Sequence, residues 1–224
     1  MQKSWFDYYK KNKTITVSNL FLHWPYLLRL VSLLPKNLLE IGCGPADHSI
    51  ALSYIMPSAK ISVLDNDEKI IAFLKTKYKN KISDYFLCDL TKKENIKRLK
   101  LKKNRYDMIY SQGLMEHFKD EDFVKIIENL LPYTNKMIHS VPSDSYPTKD
   151  FGNEILRNRE ELKRLLSSIE GINFKIIRYF PDIGLRTKIV SIKKFNFNLP
   201  EALSFLLFGS CHYLIEISKT DVTS

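Results

Sequence analysis

Short apolar runs alternate with amphipathic stretches along this chain. Apolar residues recur at helical spacing over 70–74 and 123–131, and Asn158 is expected to cap a further helix. Runs rich in β-branched or aromatic residues predict strands at 38–41, 61–65, 84–88, 106–111, 136–140, 173–180 and 211–218. This alternation predicts an α/β fold, with a mostly parallel sheet and helices on both faces.

The residues ahead of the first predicted strand form a separate helical segment. Leu20 to Leu34 is amphipathic and interrupted only by Pro25, which predicts a helix that covers the sheet. The aromatic residues before it either form a lid over a pocket or anchor the terminus; they are Trp5, Phe6, Tyr8 and Tyr9. We therefore expect one domain, with a helical or lid extension at 1–37 and a core at 38–219.

Composition narrows the class of protein. The 224 residues are 44% hydrophobic and 27% charged, which is ordinary for one globular domain. No apolar run approaches the roughly 20 residues of a membrane span, and the N-terminus lacks the apolar region of a signal peptide. The cysteines Cys43, Cys88 and Cys211 are too far apart to suggest a zinc site or a disulfide framework. We expect a cytoplasmic protein without a bound metal.

The formal net charge of +10 leaves two interpretations open. It indicates either a polyanion-binding surface or an ordinary solvated face. The densest basic cluster consists of Lys92, Lys93, Lys97, Arg98, Lys100, Lys102 and Lys103. Charge alone does not decide between these interpretations.

The segment Leu38–Asp47 carries the most specific local pattern. A predicted buried strand runs into Gly42-Cys43-Gly44 and then directly into a helix. Glycine suits a sharp turn that a ligand approaches closely. By itself this pattern is weak, because dinucleotide-binding proteins and incidental turns share it.

Acidic residues at three successive strand ends strengthen the interpretation. Glu40 lies at the end of the first strand, Asp65 closes the second and Asp89 closes the third. Asp65 follows Gly42 by about 20 residues, where an acid can accept both ribose hydroxyls of a nucleoside. Asp89 is placed to accept from an adenine amine. The carboxyl edge of an open α/β sheet is where ligands bind.

At these residues the chain resembles the class I (Rossmann-like) S-adenosylmethionine (SAM)-dependent methyltransferase family, from about Leu38 to Lys219. LLEIGCG is similar to the family's first motif, VLDND to its second, CDL to its third and YDMIYSQGLMEHF to its fourth. The nearest group is the small bacterial-type enzymes whose fourth motif ends in Leu-x-Glu-His. The resemblance implies a seven-stranded sheet whose last strand is antiparallel.

The resemblance also implies which residues hold SAM and its product S-adenosylhomocysteine (SAH). Glu40, Gly42, Cys43 and Gly44 would meet the methionine and ribose portions, as would Ser111 or Gln112 at the methionine tail. Asp65 would bind the ribose, Asn66 would lie beside the adenine, and Asp89 with the Leu90 backbone would bind the adenine edge. One position departs from the pattern: many relatives have a third glycine where this chain has Ala46.

A dinucleotide-dependent oxidoreductase is the nearest competitor. Its fingerprint requires Gly or Ala five positions after the first glycine, where this chain has Asp47. It has no need for Glu40 or Asp89. The pattern therefore favours the methyltransferase over the oxidoreductase. The chain also lacks the GxxxxGK[ST] motif of P-loop phosphate-binding proteins.

His117 is the candidate catalytic residue. A neutral imidazole after the fourth strand can take a proton from the methyl acceptor. Alternatively, Glu116 and His117 are structural and fix the turn beneath the cofactor. The acceptor is expected to contact the loop at 141–154, and Lys193–Phe208 either forms a second wall or contacts a partner.

The sequence says less about the chemical class of the methyl acceptor. Ser111-Gln112-Gly113-Leu114 lacks the motif of enzymes that methylate exocyclic base amines, and no cysteine nucleophile lies nearby. The first hypothesis is therefore methylation at oxygen or nitrogen of a small molecule, anionic if the net charge is functional. The alternatives are a tRNA or rRNA methyltransferase and a catalytically inactive partner subunit. The sequence does not predict the oligomeric state.

Overall fold

A computed structural model describes residues 5–11, 20, 22–147, 153–179 and 185–220. Its seven strands are β1 Asn37–Ile41, β2 Lys60–Asp65, β3 Asp84–Leu87, β4 Met108–Gln112, β5 Lys136–Pro142, β6 Ile172–Arg178 and β7 His212–Lys219. The helices are α1 Trp5–Lys11, α2 Trp24–Ser32, α3 Asp47–Ile55, α4 Glu68–Lys77, α5 Lys93–Arg98, α6 Asp120–Leu130, α7 Arg159–Ser167, α8 Leu185–Phe195 and α9 Leu199–Phe208. Short 3-10 turns lie at Met115–His117 and Leu131–Tyr133.

The strands form one sheet in the order β3-β2-β1-β4-β5-β7-β6. The pairs among β1 to β5 are parallel, whereas β7 runs antiparallel between β5 and β6. The predicted α/β fold, a seven-stranded and mostly parallel sheet with an antiparallel last strand, is confirmed. The strand order reverses between β1 and β4. Open α/β sheets bind their ligands at such a switch point.

Two apolar clusters cover the two faces of the sheet. Helices α2, α3 and α4 contribute buried side chains to one cluster, and α5, α6 and α7 contribute to the other. Helix α2 is part of this core, because Tyr26, Leu27 and Leu30 are at most 1% exposed. An Arg29–Glu216 ion pair with a shortest distance of 2.6 Å ties α2 to β7.

Several predicted helices and strands are present in the structure, but their ends differ from the predicted ones. Strand β4 begins at Met108 rather than 106, and Tyr106 forms only an isolated bridge with Thr134. Pro25 lies in the first turn of α2, where its missing N–H costs little, instead of interrupting a longer helix. Asn158 caps α7 through a capping box, as predicted. Residues 21, 148–152 and 180 of the predicted elements lie outside the described residues.

Candidate cofactor site

The loop between β1 and α3 has three left-handed residues at alternate positions. Gly42, Gly44 and Ala46 have φ values of +58°, +48° and +59°. A side chain on Gly42 would overlap Leu114, and one on Gly44 would overlap the ring of Tyr9 at 2.7 Å. Ala46 adopts the same conformation as the glycines, which costs an L-residue about 1 to 2 kcal/mol. The third glycine position therefore keeps its glycine-like backbone although it holds alanine.

Glu40 lies beneath this loop and is 3% exposed. Its Oε2 accepts from the backbone N–H of Ser49 at 3.2 Å and from the Ser49 hydroxyl at 2.5 Å. Burial raises the pKa of Glu40 to about 8. The carboxyl group thus fastens α3 to the end of β1.

Asp65 connects the loop to the end of β2. Its Oδ2 accepts from the backbone N–H of Gly44 at 2.9 Å, and its Oδ1 accepts from the backbone N–H of Asp67, also at 2.9 Å. The residue is 5% exposed, and this burial raises its pKa above the ordinary value. Both oxygens are held in fixed positions at the edge of the sheet.

Asp89 follows β3 in a more open position. Its Oδ1 accepts from the Thr91 hydroxyl at 2.6 Å, and its Oδ2 lies 3.0 Å from the Lys92 ammonium. Partial burial opposes ionisation, but the bonds from Thr91 and Lys92 outweigh it and lower the pKa of Asp89. The side chain is therefore an ionised acceptor at neutral pH.

A cavity of about 200 Å³ opens between these acids and the segment that follows β4. Its walls come from α1, the glycine loop, the ends of β2 and β3, and the turn after β4. They consist of Trp5, Tyr9, Gly42, Leu64, Asp65, Asn66, Cys88, Asp89, Leu90, Thr91, Gly113, Leu114, His117, Phe118 and Asn153. The cavity thus combines carboxylates with aromatic and aliphatic walls, as a nucleoside site requires.

Helix α1 roofs the cavity. The ring of Trp5 lies 6.2 Å from that of Tyr9 and 5.0 Å from the imidazole of His117. The backbone N–H of Phe6 donates to the Asp67 carboxylate at 3.1 Å, and this bond holds the helix in place. Trp5 and Tyr9 thus line the cavity, while the lid and the anchor both remain interpretations of these aromatic residues.

Comparisons with known proteins agree with this geometry. Residues 38–136 match the family model described as "Methyltransferase domain". A malonyl-[acyl-carrier protein] O-methyltransferase of Bacillus anthracis is 34% identical over 94 residues, which cover 42% of this chain and 32% of that protein. The matched stretch thus spans about a third of that relative.

Solved structures share the fold at low identity. The plantazolicin methyltransferase BpumL in complex with SAH is 18% identical with a TM-score of 0.59, over 90% of this chain and 82% of that one. A SAM-dependent methyltransferase from Archaeoglobus fulgidus is 17% identical with a TM-score of 0.64, over 97% and 100%. Residues 38–136 therefore match a methyltransferase domain, and the chain shares the fold of solved SAM-dependent methyltransferases. Their cofactor is SAM.

The structure brings only part of the predicted cofactor-binding residues to the cavity wall. Gly42, Asp65, Asn66, Asp89 and Leu90 line the cavity, and His117 faces them across it. The other predicted residues are not among those that line the cavity: they are Glu40, Cys43, Gly44, Ser111 and Gln112.

Cys43 and Ser111, which do not line the cavity, have partners within the fold. The Cys43 backbone N–H donates to Leu64 at 3.1 Å, which joins the loop to β2. The Ser111 hydroxyl is fully buried and lies 2.8 Å from Nδ1 of His139. Gln112 is half-buried at the end of β4. Their roles toward the methionine portion remain predictions.

Two residues near the cavity have features that the sequence did not predict: Asn153, which belongs to the loop expected to contact the acceptor, and Asp47. Asn153 lies 36 residues after His117, and its side-chain oxygen accepts from Nδ1 of that imidazole at 2.7 Å. No local pattern signals such a distant pair.

Asp47, considered only as a departure from the dinucleotide fingerprint, has a buried Oδ1 with no partner among the described residues. Burial raises the pKa of Asp47 to about 7. Its position at the start of α3, after the glycine loop, was the available signal.

The described residues contain no group of three or more His, Cys, Asp or Glu side chains placed to hold a metal. None of the described helices is both long and apolar enough to cross a bilayer.

Proposed function

We propose that this methyltransferase transfers the methyl group of SAM to an oxygen or nitrogen atom of a small molecule. The observation that carries the proposal is the pair Asp65 and Asp89, which face one roofed cavity from adjacent strand ends. Asp65 then binds the ribose hydroxyls, while Asp89 and the Leu90 backbone bind the adenine edge beside Asn66. Glu40, Gly42, Cys43 and Gly44, with Ser111 or Gln112, support the methionine portion.

The chemistry that this arrangement serves is an in-line displacement. The sulfonium of bound SAM supplies an already activated methyl group. The residues of the chain position the reactants and exclude water. Asp47 adds a further contact in this proposal, because its partnerless oxygen beside the glycine loop suits the cationic amino group of the cofactor.

The names of two similar proteins support a small acceptor. The Bacillus anthracis relative is a malonyl-[acyl-carrier protein] O-methyltransferase, and BpumL is a plantazolicin methyltransferase. Both names support the small-molecule class.

An RNA acceptor is the second candidate. It is favoured by the basic cluster, whose lysines are exposed on and after α5. Two of these lysines are engaged in surface ion pairs, Lys92 with Asp89 and Lys97 with Glu94. The expectation of an anionic small molecule rests on the same excess charge.

Calorimetry and a labelling assay test the proposal together. We expect micromolar binding of SAM and of SAH, and transfer of tritium from methyl-labelled SAM into the small-molecule fraction of a cell extract. Label that appears in RNA instead, with salt-sensitive binding, supports the RNA acceptor. If the folded protein binds neither SAM nor SAH, it is a methyltransferase-like subunit without activity, as Ala46 suggested.

Replacing His117 by alanine is expected to weaken SAH binding up to about tenfold, with a smaller effect on kcat. The reason is that the imidazole packs against Trp5 and is held by Asn153 in the cavity wall, and an aromatic contact contributes about 0.5–1.5 kcal/mol. The measurement is calorimetry with SAH, followed by kcat with the acceptor that the labelling assay returns.

A large loss of kcat with unchanged SAH affinity would instead establish His117 as the general base. Loss of a general base lowers kcat by about 100-fold or more while cofactor affinity stays unchanged. Burial already lowers the pKa of His117, so that the imidazole is neutral at pH 7 in either role. The Asn153→Ala variant is the matched control, because it removes the hydrogen bond and keeps the ring.

We also propose that the protein acts in the cytosol. Cys43, Cys88 and Cys211 are all free and buried, as suits a reducing compartment.

A further inference from the structure

The helix pair between β6 and β7 carries a large share of the exposed apolar side chains. Among the described residues, fifteen large apolar side chains are exposed, and six of these belong to α8 and α9. They are Ile189, Val190, Phe195, Leu199, Leu203 and Leu207. Such a concentration of exposed apolar side chains marks an interaction surface. The function proposed above gives these two helices no role.

Three leucines of α9 lie on one side of the helix. Leu199, Leu203 and Leu207 are spaced by four residues, which places them one turn apart on the same face. Their exposed fractions are 74%, 52% and 59%. The packing of the domain therefore leaves this leucine face in solvent.

Another side of α9 packs against α8 and the connection between the two helices. Lys188 is buried, and its Nζ donates to the Leu206 carbonyl at 3.0 Å. The ring of Phe205 lies edge-to-face against that of Phe197 at 5.3 Å, and Phe197 stacks on Phe195 at 6.2 Å. These contacts hold α9 on the domain, so the exposure of the leucine face belongs to a helix that is fastened in place.

The charge around the leucine face is positive. Between residues 188 and 207 the chain has three lysines and one glutamate. Lys193 and Lys194 are exposed at the end of α8. The Glu201 carboxylate closes the capping box of α9 by accepting from the Asn198 backbone N–H at 3.0 Å. A surface that combines leucines with lysines fits an anionic partner that also offers apolar contact.

These charges favour a lipid surface over a second copy of the chain. Two copies that meet through the same face would bring their lysines together across a two-fold axis, and like charges would repel. Leucines on the outer side of a helix with lysines at its edge are instead the pattern of an interfacial helix, whose apolar side chains enter the boundary between headgroups and acyl chains. The net charge of +10 adds a longer-range attraction to an anionic membrane.

The two helices are close to the loop that is expected to contact the methyl acceptor. Helix α9 leads into β7, whose first residue, His212, pairs with Pro142 at the carboxyl end of β5. Nζ of Lys194 donates to the Pro147 carbonyl at 2.8 Å, which ties α8 to the loop after β5. A surface docked through α9 would therefore lie beside this loop.

We propose that the leucine face of α9, together with Lys193 and Lys194, docks this protein on an anionic lipid surface. The leucine side chains enter the interface, and the ammonium groups contact the phosphate-bearing headgroups. The helix lies in the plane of the interface, because its ten residues are too few to cross a bilayer. The inference goes beyond the proposed function, since docking requires neither SAM nor a methyl acceptor.

Flotation of the full chain with vesicles tests this docking. We expect association with vesicles of phosphatidylcholine and phosphatidylglycerol, and at least about tenfold weaker association with phosphatidylcholine alone. Leu203→Glu should lower the affinity for the mixed vesicles at least about tenfold, because it removes an apolar contact and adds a repelling charge. Leu34→Glu is the matched control: Leu34 is 78% exposed but precedes β1, at the opposite edge of the sheet, so vesicle affinity should be unchanged.

Lysine variants separate the leucine face from the basic cluster on and after α5. Lys193→Gln should weaken binding to the mixed vesicles about fivefold, because one lysine near the membrane surface is lost. Lys102 is an exposed member of the basic cluster, and Lys102→Gln should leave vesicle binding unchanged. Thermal unfolding confirms that each variant folds.

Several results would overturn the proposal. They are no association with the mixed vesicles, equal association with neutral ones, unchanged binding by folded Leu203→Glu, and a loss with Lys102→Gln as large as with Lys193→Gln. Dimerisation without lipid that Leu203→Glu abolishes would assign the leucine face to a second copy instead. Failure of the proposed function is a different result, namely no binding of SAM or SAH, and vesicle flotation without either ligand still reports on the leucine face.

Discussion

Replacement of Asp65 by alanine is expected to weaken SAH binding at least about 100-fold. In the proposed site this carboxylate accepts both ribose hydroxyls, and a hydrogen bond to a charged group contributes about 1.5–3 kcal/mol. Two such bonds correspond to a 100-fold change or more. The variant also loses the bond to the Gly44 backbone N–H, so the loop itself is less well held. Calorimetry with SAH at neutral pH measures the effect.

Two further variants separate binding from folding in this experiment. Asp65→Asn keeps one acceptor oxygen and should lose less affinity than Asp65→Ala. Asp84→Ala removes an acid at the opposite end of the neighbouring strand β3, where its partners are Ser62 and Arg105. SAH affinity should be unchanged in that control. Wild-type affinity in a folded Asp65→Ala protein would contradict the assignment of the ribose site.

The second large effect concerns the stability of the apoprotein. Glu40 has a pKa of about 8 in the folded state against an ordinary value of 4.5, because burial disfavours its charge. Its contribution to stability is therefore complete below about pH 4.5 and is lost as the pH rises through 8. Each pKa unit corresponds to about 1.4 kcal/mol, so the loss reaches at most about 5 kcal/mol.

Glu40→Gln should remove most of this pH dependence. The amide oxygen can still accept from Ser49, but it never ionises, so the variant should be several kcal/mol more stable than the wild type at pH 9. Urea unfolding followed from pH 5 to pH 9 gives the two profiles. Glu94→Gln is the control, because Glu94 is an exposed partner of Lys97 whose removal should change stability little. Parallel profiles for Glu40→Gln and wild type would refute the assignment.

The order of elements and the edge that carries the cofactor motifs were predictable from local patterns. Strand runs and helical spacing depend on residues within one element, and parallel strands necessarily bring their carboxyl ends to one edge. Asp65 and Asp89 were therefore placed in one cavity from their positions alone. The conformation of Ala46 could not be predicted, because its left-handed φ is set by the loop around it and not by its own preference.

Contacts between distant segments were decided by packing. Periodicity shows which face of an element is apolar, but it does not show which other element will cover that face. Glu40 is an example: its position at the strand end suggested a direct cofactor contact, whereas its Oε2 accepts from the backbone N–H and the hydroxyl of Ser49. The pairing of His117 with Asn153 likewise depends on how the loop after β5 returns to the site.

The sequence by itself therefore determined the fold class, the glycine loop and the line of acids, since each follows from short-range spacing. Only the tertiary structure decided that Trp5 and Tyr9 roof the cavity and that His23, His48 and His212 meet. Those three histidines lie far apart along the chain, and nothing local links them. They come together because α2 packs across the sheet and β7 inserts beside β5, a result of burying apolar surface over the whole domain.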